Sequence, residues 1–169
     1  VDRTLQRIQG MYAFALFDTR TRQLTLARDR LGKKPLYYGT WNGCLIFGSQ
    51  PRAFFRHPMF EPGVSQSALS AYIRFGYVPN PSAIYERMHQ LPPGGVARIG
   101  RDGAVQVERV WRAEAIAAEA KARPITGEAE AIDGLDALLR DSIKRRMMAD
   151  VPLGAFLSGG IDSSLVVAL

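Results

Sequence analysis

Eight residues near one end of this 169-residue chain, Leu157-Ser158-Gly159-Gly160-Ile161-Asp162-Ser163-Ser164, constrain its fold more than any other segment. The apolar run Leu153–Leu157 before the turn reads as a short buried strand, and Leu165–Leu169 after it as the start of a buried helix. A strand, a Ser-Gly-Gly turn and a helix N-terminus together make a cradle for phosphate. The glycines reach φ > 0 and let successive N–H groups converge on an anion. The first helical turn adds unpaired N–H groups and the positive end of the helix dipole. Ser158, Ser163 and Ser164 supply hydroxyls, and Asp162 is placed either to hold a metal ion or to orient the loop. The loop is not the GxxxxGK[ST] type, because it is shorter and has no lysine. Ser-Gly-Gly alone reads as a helix cap without a ligand. The full string between two apolar runs favours a nucleotide.

Composition narrows the class. Hydrophobic residues make up 47% and charged residues 22%, the balance of a globular protein. No apolar run approaches the roughly 20 residues that span a bilayer, so no membrane association is expected. Val1-Asp2-Arg3 shows neither an initiator Met nor an apolar leader, and the sequence stops inside a predicted helix, so both ends read as cut. The single cysteine, Cys44, excludes an internal disulfide and any multi-cysteine metal site, and fits a reducing cytoplasm. The net charge of +6 is scattered, with only Lys33-Lys34 and Lys144-Arg145-Arg146 clustered, which argues for a solvated surface over nucleic-acid binding.

The first half reads as antiparallel β-structure. Met11–Phe17 is an aromatic strand, Asp18–Arg22 turns the chain, and Gln23–Ala27 runs back. Leu36–Tyr38 and Cys44–Phe47 flank Asn42-Gly43, a hairpin signal, and Cys44 is expected to be a buried core residue. Ser65 is placed to cap a helix through Arg74, with Leu69, Tyr72 and Ile73 inward. Val96–Ile99 and Val105–Val110 form a last hairpin across Asp102-Gly103. After Trp111, Arg112–Arg123 is Ala/Glu-rich and weakly patterned, a surface helix or linker that Pro124 ends. Thr126 is placed to cap a helix whose apolar face is Ile132, Leu135, Leu139, Ile143 and Met147. The expected layout is a β-rich module over 1–111, a linker over 112–126, and the opening of an α/β nucleotide domain over 127–169.

Four passages, in order, resemble the glutamine-hydrolysing asparagine synthetase family. Gly10–Asp18 (GMYAFALFD) is similar to its GMFAFALWD strand, and Ala27–Gly39 (ARDRLGKKPLYYG) to its ARDRxGxKPLYY signature. Phe75–Gly95 resembles its FGYVPxPxTIFxxIxxLPPG segment, and Asp150–Ser164 its DVPxGxxLSGGxDSS pyrophosphate loop, found in N-type ATP pyrophosphatases. The resemblance implies an internal piece of such an enzyme: the C-terminal part of an αββα (Ntn-type) class II glutaminase sandwich, followed by the start of an α/β ATP pyrophosphatase domain. The family is a ligase. It adenylates aspartate with ATP and Mg²⁺ and amidates it with glutamine-derived ammonia, giving asparagine, AMP and pyrophosphate.

The resemblance further implies that Leu157, Ser158, Gly159, Gly160, Asp162, Ser163 and Ser164 bind ATP or pyrophosphate. It implies that this loop also holds the metal, without fixing the ligands, and assigns no catalytic residue, because the family's nucleophilic Cys and glutamine-binding groups precede the GMFAFALWD strand and its aspartate-binding and catalytic residues follow Leu169. The 169 residues alone are therefore expected to be inactive. Implied partners are the small molecules glutamine, aspartate and ATP; a homodimer of the full-length protein is allowed. Arg28 and Asp29 read either as a structural or domain-interface pair or as a surface ion pair. Gln50 stands where the family usually has Glu, which hints at a divergent paralogue. The alternatives are an amidotransferase paralogue acting on another carboxylate, or a non-catalytic remnant domain.

Overall fold

Turn chemistry explains why the first half folds as antiparallel sheet. In a computed structural model describing residues 1–169, α1 (Asp2–Arg7) leads into β1 (Ala13–Asp18), which returns as β2 (Gln23–Arg28). Asp18 Oδ1 accepts the N–H groups of Arg20 at 2.9 Å and Thr21 at 3.1 Å, an Asx turn. β3 (Tyr37–Trp41) and β4 (Cys44–Gly48) meet at Asn42 and Gly43, whose φ values of 50° and 77° suit a type I′ hairpin. After the short α2 (Pro51–Phe54), the Ser65 hydroxyl accepts the Ala68 N–H and starts α3 (Gln66–Phe75). β5 (Met88–Gln90), β6 (Gly95–Ile99) and β7 (Val105–Arg109) complete the strands.

The strands form two antiparallel sheets, ordered β1-β2-β6-β7 and β4-β3-β5. Period-two alternation decides what each face meets. Leu26, Ala97 and Ile99 of the first sheet share a core with Leu36, Tyr38 and Leu91. The alternate residues Ala27 and Val96 face the other way and pack with Leu5 of α1. On the second sheet, Trp41, Ile46 and Met88 gather with Phe54, Phe60 and Ala83. Trp41 meets Phe60 and Phe54 edge-on, with centroids 4.9 and 5.9 Å apart.

The hairpin at Gly43 gives a clean test of backbone strain. A Cβ there meets nothing within 4 Å, so the only penalty is the left-handed φ. Gly43→Ala is expected to lower the unfolding free energy by about 1 kcal/mol, seen as a lower urea midpoint. An unchanged midpoint would remove the turn from the list of stabilising features.

The chain divides into two compact units, Val1–Ala115 and Ile116–Leu169. α4 (Ala113–Ala122), α5 (Glu128–Arg146) and α6 (Ile161–Ala168) are the remaining elements, and no helix is long and apolar enough to cross a membrane. Several local expectations are corrected. Leu153–Leu157 is not a strand, because the second unit contains no other strand to complete its backbone hydrogen bonds. Leu69, Tyr72 and Ile73 face outward on α3, Ile73 with 77% of its surface exposed, while Ala68 is the inward residue. Ile132 and Leu135 are also exposed, and Gly127 rather than Thr126 caps α5. The first strand starts at Ala13, leaving Met11 exposed.

Candidate functional site

The phosphate-loop residues form a tight turn onto the N-terminus of α6. Gly159 has φ 76°, a left-handed conformation that admits glycine without strain. Gly160 caps the helix in extended conformation, with no side-chain cap. Its carbonyl accepts the Ser164 N–H at 3.1 Å and the hydroxyls of Ser163 and Ser164 at 3.0 and 2.9 Å. The Ser158 and Ser163 hydroxyls lie 3.0 Å apart, which closes the loop. Ser158, Gly160, Ser163 and Ser164 are thus brought together. Leu157 projects into solvent, and Asp162 stands exposed in the first helical turn.

Chemically, the turn offers backbone donors and hydroxyls but no cation. The first-turn N–H groups are unused by the helix, but the loop from 157 to 164 has no Lys, Arg or His. Its one charge is the Asp162 carboxylate, which disfavours a bare polyanion. No cluster of three or more His, Cys, Asp or Glu residues exists to hold a metal by protein groups alone.

In the first unit the sequence reading understated two residues. Arg28 is 5% exposed and Asp29 1%, so neither belongs to a surface ion pair. Each bonds to backbone instead. Arg28 Nε donates to the Lys34 carbonyl at 2.8 Å, Nη1 to Leu91 at 2.5 Å and Nη2 to Gly32 at 2.6 Å. Asp29 Oδ1 accepts the N–H groups of Lys33 at 2.9 Å and Leu31 at 3.2 Å, and Oδ2 that of Lys34 at 2.9 Å. The Asp29 carbonyl accepts the Gly94 N–H at 2.9 Å. The pair therefore clasps the 29–34 loop to the 91–95 loop. Burial works to raise the Asp29 pKa, but the backbone donors, led by Lys34 and Lys33, prevail and hold it below the usual carboxylate value.

Cys44 is half-buried beside the Trp41 cluster, less enclosed than expected, and its Sγ lies 3.9 Å from His57 Nε2. Nothing in the sequence linked these two residues.

Residues 2–111, about two-thirds of the chain, match the family of glutamine amidotransferase domains. The chain belongs to that family. The amidotransferase segment is followed by a match to the asparagine synthase family over residues 134–169, a stretch that contains the SGGIDSS turn. The chain is 38% identical to a putative asparagine synthetase [glutamine-hydrolyzing] of Mycobacterium bovis, across 98% of this chain and 26% of the relative. It is 32% identical to putative asparagine synthetase [glutamine-hydrolyzing] 2 of Methanocaldococcus jannaschii, across 98% and 32%. It is 29% identical to asparagine synthetase [glutamine-hydrolyzing] 3 of Bacillus subtilis, across 98% and 26%. The chain thus spans between a quarter and a third of the length of these curated relatives. Within the amidotransferase segment, the Arg28–Asp29 clasp bears out the structural alternative for this pair, while its bonding to two backbone loops was not legible in the sequence.

Proposed function

We propose that this chain is part of a cytoplasmic, glutamine-dependent asparagine synthetase that amidates aspartate with glutamine-derived ammonia, converting ATP to AMP and pyrophosphate. One observation carries the reading: an amidotransferase segment and an asparagine synthase segment occur in that order in one chain, and the second contains SGGIDSS at a helix N-terminus. In this reading residues 1–111 belong to an αββα glutaminase sandwich, 112–126 form a linker, and 127–169 open the ATP pyrophosphatase domain. The substrates are glutamine, aspartate and ATP. The full-length enzyme pairs as a homodimer.

The roles of this chain's own residues follow from the loop. The backbone N–H groups of Gly159, Gly160 and the first turn of α6 hold the β- and γ-phosphates. Ser158 and Ser163 exchange their mutual hydrogen bond, and Ser164 its bond to the Gly160 carbonyl, for phosphate oxygens, and the Leu157 backbone meets the nucleoside part. Asp162 holds Mg²⁺, which neutralises phosphate charge where the loop has no cationic side chain. Adenylation makes sense for a carboxylate acceptor, since AMP leaves far more readily than hydroxide.

The test separates the two half-reactions in the full-length enzyme. Ser158→Ala and Asp162→Asn are each expected to lower aspartate-dependent AMP and pyrophosphate release about 100-fold, the scale for losing one preorganised group on a developing charge. Glutamine hydrolysis should persist. AMP release that ignores aspartate, or is unmoved by either substitution, would overturn the proposal. The 169 residues alone should turn over neither glutamine nor ATP.

A further inference from the structure

Where the two sheets share a core, the slot between them opens at the β5 and β7 edges. A cavity of about 380 Å³ lies there, lined by Tyr38, Thr40, Arg87, His89, Val105 and Val107, within the usual size range of small-molecule sites. Its two walls differ in kind. Tyr38 and Thr40 share one face of β3, and His89 stands opposite Tyr38 in register, their ring centroids 5.6 Å apart. Val105 and Val107 share the facing side of β7 and make an aliphatic wall. At the mouth, Arg87 has φ 60°. A non-glycine residue held left-handed is strained by roughly 1 kcal/mol, and such strain gathers at ligand clamps. The Arg87 guanidinium reaches only Glu61, at 3.5 Å and well exposed on both sides. Such a bond contributes little, so a better-aligned oxyanion displaces it readily. Burial raises the Tyr38 pKa, which keeps its hydroxyl a donor.

We propose that this slot binds a small planar organic carboxylate. The ring lies between the Val105–Val107 wall and the Tyr38–His89 wall, and the carboxylate meets the planar fork of Arg87. The site draws only on residues 38–107 and stands or falls independently of the phosphate loop.

The experiment titrates the 169-residue chain with benzoate, and with neutral benzamide of the same shape, while following amide and side-chain NMR shifts. Benzoate should shift Tyr38, His89, Val105 and Val107 saturably, with a dissociation constant near or below about 1 mM, and benzamide should not. Arg87→Gly removes the guanidinium, yet glycine adopts φ 60° without strain, so the variant stays folded. It should weaken benzoate about tenfold or more. Val107→Glu, on an exposed strand position, should abolish binding by placing a carboxylate in the slot. Equal shifts from benzamide, unchanged affinity in Arg87→Gly, or no saturable shift at about 10 mM would each overturn the proposal.

Discussion

Asp29→Ala is expected to lower the unfolding free energy of the first unit by about 3 kcal/mol. Three backbone N–H groups, from Leu31, Lys33 and Lys34, lose their acceptor while the 29–34 loop stays packed on Pro93 through Gly32. Arg28 is left as a buried cation with less compensating charge, a situation that adds to the loss. Urea unfolding followed by tryptophan fluorescence reads this directly, since Trp41 and Trp111 both lie in the first unit. Asp29→Asn sharpens the test through pH. The folded Asp29 pKa is depressed, whereas an unfolded Asp titrates near about 3.9. The stabilisation from its carboxylate is therefore present above about pH 4 and is lost as pH falls through the folded value. The native chain should lose stability more steeply below pH 4 than Asp29→Asn does. Equal slopes would mean that the carboxylate charge is not what organises the loop.

Trp41→Ala is expected to remove about 4 kcal/mol, the scale for emptying a fully buried tryptophan site. The cavity has no easy way to collapse, because Phe54 and Phe60 rest edge-on against the indole and Gly39 sits under its outer carbons. Trp41→Phe should be much milder. The indole Nε1 is buried with no hydrogen-bond partner, so phenylalanine removes an unsatisfied donor along with part of the ring, and the two effects offset each other. Thermal unfolding of both variants gives the comparison. A Phe variant as unstable as the Ala variant would show that the Nε1–H is satisfied after all.

Both predictions concern residues whose importance local pattern did not reveal. The hairpins were legible because turn chemistry is local: Asn42-Gly43 and Asp102-Gly103 carry their conformations in their own side chains or in the lack of one. Ser65 as a helix cap was legible for the same reason. Arg28 and Asp29 look like any adjacent charged pair, and only the return of the 91–95 loop, more than sixty residues later, buries them. The outward face of α3 shows the opposite error. Leu69, Tyr72 and Ile73 have helical spacing, but spacing says which residues share a face, not whether anything covers it.

The sequence by itself determined the hairpin strands β1 to β4, β6 and β7 and the helix α3 of the first unit, the sites of the tight turns, and the four passages that mark the family, but not α2 or the short strand β5. Those features depend on neighbours within a few positions, where propensity and turn geometry act. Tertiary structure alone decided which faces are buried, that Arg28 and Asp29 clasp two loops, that His57 approaches Cys44, and that Leu153–Leu157 does not form a strand here. Burial, ion desolvation and strand pairing are all set by groups distant in sequence, and a lone apolar run cannot supply its own partner strand.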